Sequence, residues 1–161
     1  MVYRIANIND LKEIIEMKNQ VKQRVINENL PIWLNGYPLD EYIEEDIVNG
    51  FGRVIEIDNL VVAYAAFYLS TMDYPKDTFS KEPVQSFGRL MVKDEYVGKK
   101  IGSYLVDQMI EEAKKLDVLG MGILVDEVNS KALNLYLKKG FKKEGIKQFP
   151  FAYLDIYTLY F

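Results

Sequence analysis

The stretch Val92-Lys93-Asp94-Glu95-Tyr96-Val97-Gly98-Lys99-Lys100-Ile101-Gly102-Ser103 joins a strand-like run to a helix-like one through a short loop. Such a junction aims several free backbone N–H groups, and the positive end of a helix dipole, at one spot. Glycines let an anion come close to the backbone, so a pyrophosphate suits the place, with Lys99 and Lys100 adding charge at its rim. A plain strand-to-helix turn with solvated lysines has the same pattern. It is not a Walker loop, because no Gly-Lys-Ser/Thr stands at the required spacing, and the third glycine of a dinucleotide fingerprint is missing.

A second segment, Asn129-Ser130-Lys131-Ala132-Leu133-Asn134-Leu135-Tyr136-Leu137-Lys138-Lys139-Gly140-Phe141, places Asn129, Ala132 and Tyr136 at helical spacing on one face. A polar cap, a small residue and a tyrosine in one stripe can follow a long thin ligand. Taken alone, these residues favour a packing helix with a glycine stop and a half-buried tyrosine. The loop Trp33-Leu34-Asn35-Gly36-Tyr37-Pro38 sets large aromatics among polar residues, either to wall a pocket or to staple the loop to a core. The acidic run Asp40, Glu41, Glu44, Glu45, Asp46 either favours a cationic ligand or is a solvated helix face.

The chain has neither cysteine nor histidine. Disulfides, thiolate nucleophiles, cysteine metal sites, the Ser-His-Asp triad and the commonest metal ligand are thereby excluded. Catalysis has to run on carboxylates, tyrosines, lysines, backbone dipoles or bound water, and no metal is expected.

The elements that must position these groups follow from periodicity. A strand over residues 3–8 precedes Asn9 and Asp10, which offer N-cap oxygens to a helix with Leu11, Ile14, Ile15, Val21 and Val25 at helical spacing, ending near Asn27. After the loop at 31–38, Asp40 caps a second helix that runs to Asn49-Gly50. Strands at 53–57 and 60–68 meet at Asp58-Asn59, which suits a tight hairpin. Residues 70–82 read as loop, 84–92 as strand, and 101–116 as an amphipathic helix on Ile101, Tyr104, Leu105, Met109 and Ala113. A buried-type strand at 120–126, a helix capped by Asn129 whose apolar side carries Ala132, Leu133, Tyr136 and Leu137, and strands from Phe141 and from Tyr153 complete the chain. The order β-α-α-β-β-β-α-β-α-β-β specifies an α/β mixed sheet with helices on its faces.

At 161 residues, with 49% hydrophobic and 27% charged side chains, the chain suits one domain over residues 1–161 with a real core. Its net charge of -4 argues against nucleic-acid partners, which require phosphate neutralisation. No apolar run approaches the roughly 18 residues of a membrane span. Residues 1–4 lack a signal-peptide pattern, so a cytoplasmic location is expected. The aromatic end at Tyr153, Tyr157, Tyr160 and Phe161 offers an apolar edge for a homodimer.

Taken in this order, the two segments resemble the GCN5-related N-acetyltransferase (GNAT) superfamily. Its acyl-CoA motif, Gln/Arg-x-x-Gly-x-Gly/Ala, falls on Val97-Gly98-Lys99-Lys100-Ile101-Gly102. Its later pattern, Asn-x-x-Ala-x-x-x-Tyr followed by Lys-x-Gly-Phe, is matched by Asn129, Ala132, Tyr136, Lys138, Gly140 and Phe141. Gly88-Arg89-Leu90-Met91-Val92 looks like the family's fourth strand. Val97 departs from the usual Gln or Arg, and Lys100 stands where the first motif glycine is usual.

The resemblance implies a GNAT-like fold: a central, mostly antiparallel twisted sheet, strands 4 and 5 splayed, with about four helices. It implies acetyl-CoA as cosubstrate and a primary amine of a small molecule or peptide as acceptor, attacking directly within a ternary complex. Leu90, Met91 and Val92 would pair with the pantetheine arm, an N–H near Met91 steadying the oxyanion. Val97, Gly98, Lys99, Lys100, Ile101, Gly102 and Ser103 would hold the pyrophosphate, and Asn129 and Asn134 would lie along the cofactor. Tyr136 would return a proton to the leaving thiolate. Trp33, Tyr37 and Tyr74 would line the acceptor site. The general base stays open among Asp73, Tyr74, Glu82 and Asp126, with a chain of water molecules as the simplest relay. A CoA-binding module of the same fold with little transfer activity is the alternative.

Overall fold

The computed structural model describes residues 1–150 and 152–161, and of Asp73 only the backbone. The Asp73 carboxylate considered above as a proton relay thus lies outside the described residues. Seven strands follow the order β1-β2-β3-β4-β5-β7-β6. They are β1 (Val2–Ile5), β2 (Gly52–Ile57), β3 (Leu60–Leu69), β4 (Gln85–Val92), β5 (Gly120–Val125), β6 (Lys142–Gln148) and β7 (Tyr153–Tyr160). β1 with β2, β2 with β3, β5 with β7 and β6 with β7 pair antiparallel, whereas β4 and β5 run parallel and are joined by one rung at Gln85↔Met121. The mixed sheet expected from the sequence is therefore present. The helices are α1 (Leu11–Asn27), α2 (Asp40–Val48), α3 (Ser70–Asp73), α4 (Ile101–Ala113) and α5 (Ser130–Lys138). The single turn α3 lies within the segment read as loop.

Backbone proximity divides the chain into two compact units, residues 1–67 with 88–108, and residues 68–87 with 109–161. In the first, α1 and α2 bury Ile14, Met17, Val21, Val25, Ile43 and Ile47 against Val54, Val61, Tyr64 and Met91 of the strands. Each such side chain stabilises by about 1.5–3 kcal/mol. The β2–β3 hairpin turns on Asp58 and Asn59 at φ of +50° and +63°, the left-handed pair a tight turn needs.

Two capping expectations are corrected here. Asp10 occupies the N-cap of α1 but its carboxylate makes no cap bond to that helix; Asn7 caps the preceding 3-10 turn Ile8–Asp10, and Asp10 instead accepts the Asn7 N–H at 2.8 Å and the Arg4 guanidinium at 2.7 and 2.9 Å. Arg4 holds the Asp10 carboxyl below its ordinary range despite burial. Leu39 occupies the N-cap of α2, and the Asp40 carboxylate instead binds the ammonium of Lys18, a lysine buried on α1. Both carboxylates are drawn away from capping because a buried or half-buried cation elsewhere requires a counter-charge.

In the second unit, Phe79, Val84 and Ile156 form a small core with Tyr74, Leu124 and Tyr160 packed against it. Phe87 meets Tyr136 and Phe141 edge to face while those two rings are tilted to each other, with ring centroids 5.4–6.4 Å apart. Only Tyr136 of α5 is buried; Leu137, expected on its apolar side, is 49% exposed. The aromatic end of the chain is mostly occupied too. Tyr157 is buried and the Tyr160 hydroxyl binds Glu144 and Ser80, leaving Tyr153 and Phe161 as its exposed members.

β5 and β7 approach so closely at Gly120 that a Cβ there would stand 2.3 Å from the Leu159 carbonyl oxygen. Gly120→Ala is therefore expected to cost about 1–3 kcal/mol through forced backbone movement, read as a lowered urea midpoint with an unchanged slope.

Candidate active site

β4 ends at Val92, and the Lys93 N–H donates to the Val62 carbonyl at 2.9 Å, anchoring the strand end to β3. A 3-10 turn, Asp94–Tyr96, then leads into the segment 97–103. Gly98 sits at φ +80° and Lys100 at +63°. Lys100 thus adopts the left-handed conformation that glycine takes freely, which gives a physical reason for glycine being usual at that position. Gly102 lies on the first turn of α4, where a Cβ would stand 3.4 Å from Cγ2 of Val92.

The alternation of left-handed residues has a consequence for hydrogen bonding. Among the described residues, the N–H groups of Gly98, Lys100, Ile101, Gly102 and Ser103 find no backbone acceptor; the first bond of the helix is Tyr104 N–H to the Lys100 carbonyl at 3.0 Å. Five backbone donors at the positive end of a 13-residue helix form an anion cradle. The Lys99 ammonium stands 5.3 Å from the Tyr96 ring centre, and both Lys99 and Lys100 are exposed. These residues fit a diphosphate through backbone amides with two cations beside them. Leu90 and Val92 are half-buried and Met91 is buried on the strand that leads there.

The same unit holds a polar network that inspection of single segments missed. Arg89 interrupts β4 with φ +53°, and its Nε and Nη2 both donate to the Asp46 carboxylate at 3.0 Å. The Tyr64 hydroxyl donates to the same carboxylate at 2.8 Å, and Arg89 Nη1 donates to the Tyr37 hydroxyl at 3.1 Å. Burial, and then the charge of Asp46, push the Tyr64 phenol far above its ordinary range. Burial opposes the charge on Arg89, but Tyr37 and Asp46 outweigh it and raise its pKa. An arginine within an apolar strand was the available signal, since a buried guanidinium demands a carboxylate. The acidic run on α2 thereby divides: Asp46 is buried in this pair, Asp40 is tied to Lys18, and Glu41, Glu44 and Glu45 are solvated. Trp33, at φ +54°, packs against the apolar core of the unit, while Tyr37 is 37% exposed.

In the second unit Asn129 caps α5 through its Oδ1, which accepts the Ala132 N–H at 3.4 Å, and Asn134 is exposed. Tyr136 is buried between Phe87 and Phe141, and its hydroxyl has no hydrogen-bond partner among the described residues. Burial raises its pKa well above the ordinary tyrosine value. Tyr74 meets Phe79 edge to face and its hydroxyl shares a 2.8 Å hydrogen bond with that of Tyr68. Of the carboxylates considered as relays, Glu82 accepts the N–H groups of Phe79 and Asp77 at 3.3 and 3.4 Å, and Asp126 accepts that of Val128 at 3.2 Å. Both shape loops. Gln85, Ser86 and Phe87 are all buried and supply no carboxylate at the start of β4. No group of three or more acidic side chains suited to a metal ion occurs among the described residues.

The raised tyrosine pKa values carry a stability prediction. Above pH 10 the unfolded chain ionises phenols that Tyr64 and Tyr136 keep protonated in the folded state, so the unfolded state binds fewer protons and stability falls as pH rises. The urea midpoint is expected to drop between pH 10 and 12, and Tyr136→Phe is expected to flatten that slope.

Residues 45–143, well over half of the chain, match the family described as Acetyltransferase (GNAT) domain. A search of curated proteins gave no significant match. Among solved structures, a GNAT-family acetyltransferase from Streptococcus agalactiae 2603 is similar at a TM-score of 0.84, with 18% identity over 99% of this chain and 95% of that one. The paia N-acetyltransferase of Thermoplasma acidophilum, solved with coenzyme A, is similar at 0.75, with 21% identity over 99% and 98%. The ribosomal-protein-alanine N-acetyltransferase of Brucella melitensis is similar at 0.71, with 21% identity over the whole of both chains. With its mixed sheet and a turn rich in unsatisfied amides, the chain belongs to the GNAT family of N-acetyltransferases.

Proposed function

We propose that the protein transfers the acetyl group of acetyl-CoA directly to a primary amine of a small molecule or peptide. The observation that carries this reading is the cradle of five backbone N–H groups at residues 98–103 without backbone acceptors, flanked by Lys99 and Lys100. Backbone amides bind a diphosphate whatever the side chains, so Val97 and Lys100 in place of the usual motif residues leave the cradle intact. Acetyl-CoA, when bound, supplies an activated thioester.

The chain's own residues then have separable tasks. Residues 97–103 hold the diphosphate, and the backbone of Leu90, Met91 and Val92 pairs with the pantetheine arm, the Met91 N–H polarising the acyl carbonyl. Asn129 and Asn134 contribute polar contacts along the cofactor. As the amine nitrogen bonds to the carbonyl carbon and gives its surplus proton to water, the C–S bond breaks, the thiolate, of intrinsic pKa around 8.5, takes a proton from Tyr136, and water returns a proton to the phenolate. The Tyr136 hydroxyl suits this task because burial of the residue keeps it protonated and no described residue engages it. Water removes the proton of the acceptor ammonium, since Glu82 and Asp126 are committed to loop backbone. Trp33 and Tyr37, from the loop before α2, line the acceptor side in this reading.

Acetyl-CoA at a hundredfold excess over its Kd is expected to stabilise the fold by about 2.7 kcal/mol, measured as a raised melting temperature. A panel holding spermidine, small primary amines and an alanine-initiated peptide is expected to release free CoA thiol with at least one acceptor. Tyr136→Phe is expected to lower kcat by about a hundredfold while the Kd for acetyl-CoA stays within twofold. Binding without thiol release across the panel makes the protein a CoA-binding module instead. No binding overturns the reading.

A further inference from the structure

Arg89 does more than neutralise Asp46. Two of its nitrogens, Nε and Nη2, already form a bidentate pair with that carboxylate, and Tyr64 adds a third donor. The charge is thereby compensated within β3, β4 and α2. The remaining bond, from Nη1 to the Tyr37 hydroxyl at 3.1 Å, serves no such need, because Tyr37 is 37% exposed and water satisfies an exposed phenol. What that bond adds is a link between β4 and the loop before α2. The guanidinium carbon also stands 5.9 Å from the ring centres of both Tyr37 and Tyr42, which lie 6.1 Å from each other. The loop is thus fastened by a directional bond and a cation–π contact to one point on the strand.

That point is itself constrained. Arg89 holds φ +53° inside a strand, a conformation that is strained for a residue with a Cβ and persists when its surroundings over-determine it. The bidentate pair supplies that determination. Arg89 lies immediately before Leu90 and Met91, so the same side chain sets the course of the strand and the place of the loop.

We propose that Arg89 is a positioning residue for the amine acceptor: through Tyr37 it latches the loop at 31–38 to β4, and so sets the acceptor pocket in register with the strand assigned above to the pantetheine arm. This rests on the transferase reading and specifies what orders its acceptor side. The latch acts on acceptor binding, so its loss appears in the acceptor KM rather than in cofactor binding.

The test is a double-mutant cycle on Tyr37→Phe and Arg89→Gln, with spermidine and an alanine-initiated peptide as acceptor probes. Tyr37→Phe keeps the ring and removes the bond. It is expected to raise the acceptor KM about three- to tenfold, with kcat and the acetyl-CoA KM within twofold of wild type. Trp33, the only tryptophan, sits in the same loop and reports its freedom, so Tyr37→Phe is expected to increase acrylamide quenching of its fluorescence. In the Arg89→Gln background, Tyr37→Phe is expected to add less than twofold. Where Arg89→Gln fails to fold, Arg89→Lys replaces it, keeping a cation on Asp46 without the fork that reaches Tyr37. Unchanged KM and unchanged quenching in Tyr37→Phe overturn the latch, as does a full Tyr37→Phe effect in the Arg89 variant. A wild-type chain that acetylates neither probe counts against the transferase reading instead, and the Trp33 measurement, which needs no acceptor, then decides whether the latch exists.

Discussion

A carboxylate removed from water must find compensation within a few ångströms, and at Asp46 that requirement organises the first unit. Its partners come from three places in the chain: Arg89 of β4, Tyr64 of β3 and, through Arg89, Tyr37 of the loop before α2. Removing either charge, Asp46 or Arg89, would leave the other buried and unpaired, which is why the pair ties helix, sheet and loop together. The apolar core around Ile14, Met17, Ile43 and Met91 supplies most of the stabilisation, but apolar contacts have no direction. The directional bonds of Asp46 and Arg89 determine which backbone conformation β4 takes.

The chemistry of the site follows from what the chain lacks. Without histidine or cysteine, the proposed transfer leaves anion binding and acyl activation to backbone amides, and proton movement to phenols and water. Backbone donors do not depend on side-chain identity, so a GNAT acetyltransferase can carry lysine where glycine is usual, provided the residue adopts φ near +60°. Lys100 does so. Tyr136 illustrates the complementary strategy, in which burial against Phe87 and Phe141 holds a phenol protonated.

Carboxylates are present in number, but most of those considered for catalysis are committed elsewhere. Glu82 and Asp126 satisfy loop N–H groups, Asp40 answers a buried lysine and Asp46 a buried arginine. The exposed acids of α2, Glu41, Glu44 and Glu45, stay in solvent. In the proposed transfer, this allocation leaves the acceptor's proton to water.

Local patterns in the sequence sufficed wherever neighbours along the chain make the structure. The Asp58-Asn59 hairpin, the Asn129 cap, the Gly140 stop and the glycine-bearing turn into α4 each depend on φ preferences or on bonds between residues a few positions apart. The element order and the family motifs were legible for the same reason. Tertiary structure alone decided the fate of charges whose partners are distant: Lys18 with Asp40, and Arg89 with Asp46, 43 residues away. It also decided that Leu137 faces solvent while Tyr136 does not. A side chain's type states what partner it needs, but only the folded chain brings a particular partner within reach, because electrostatic and packing energies depend on distance in space and not on distance along the sequence.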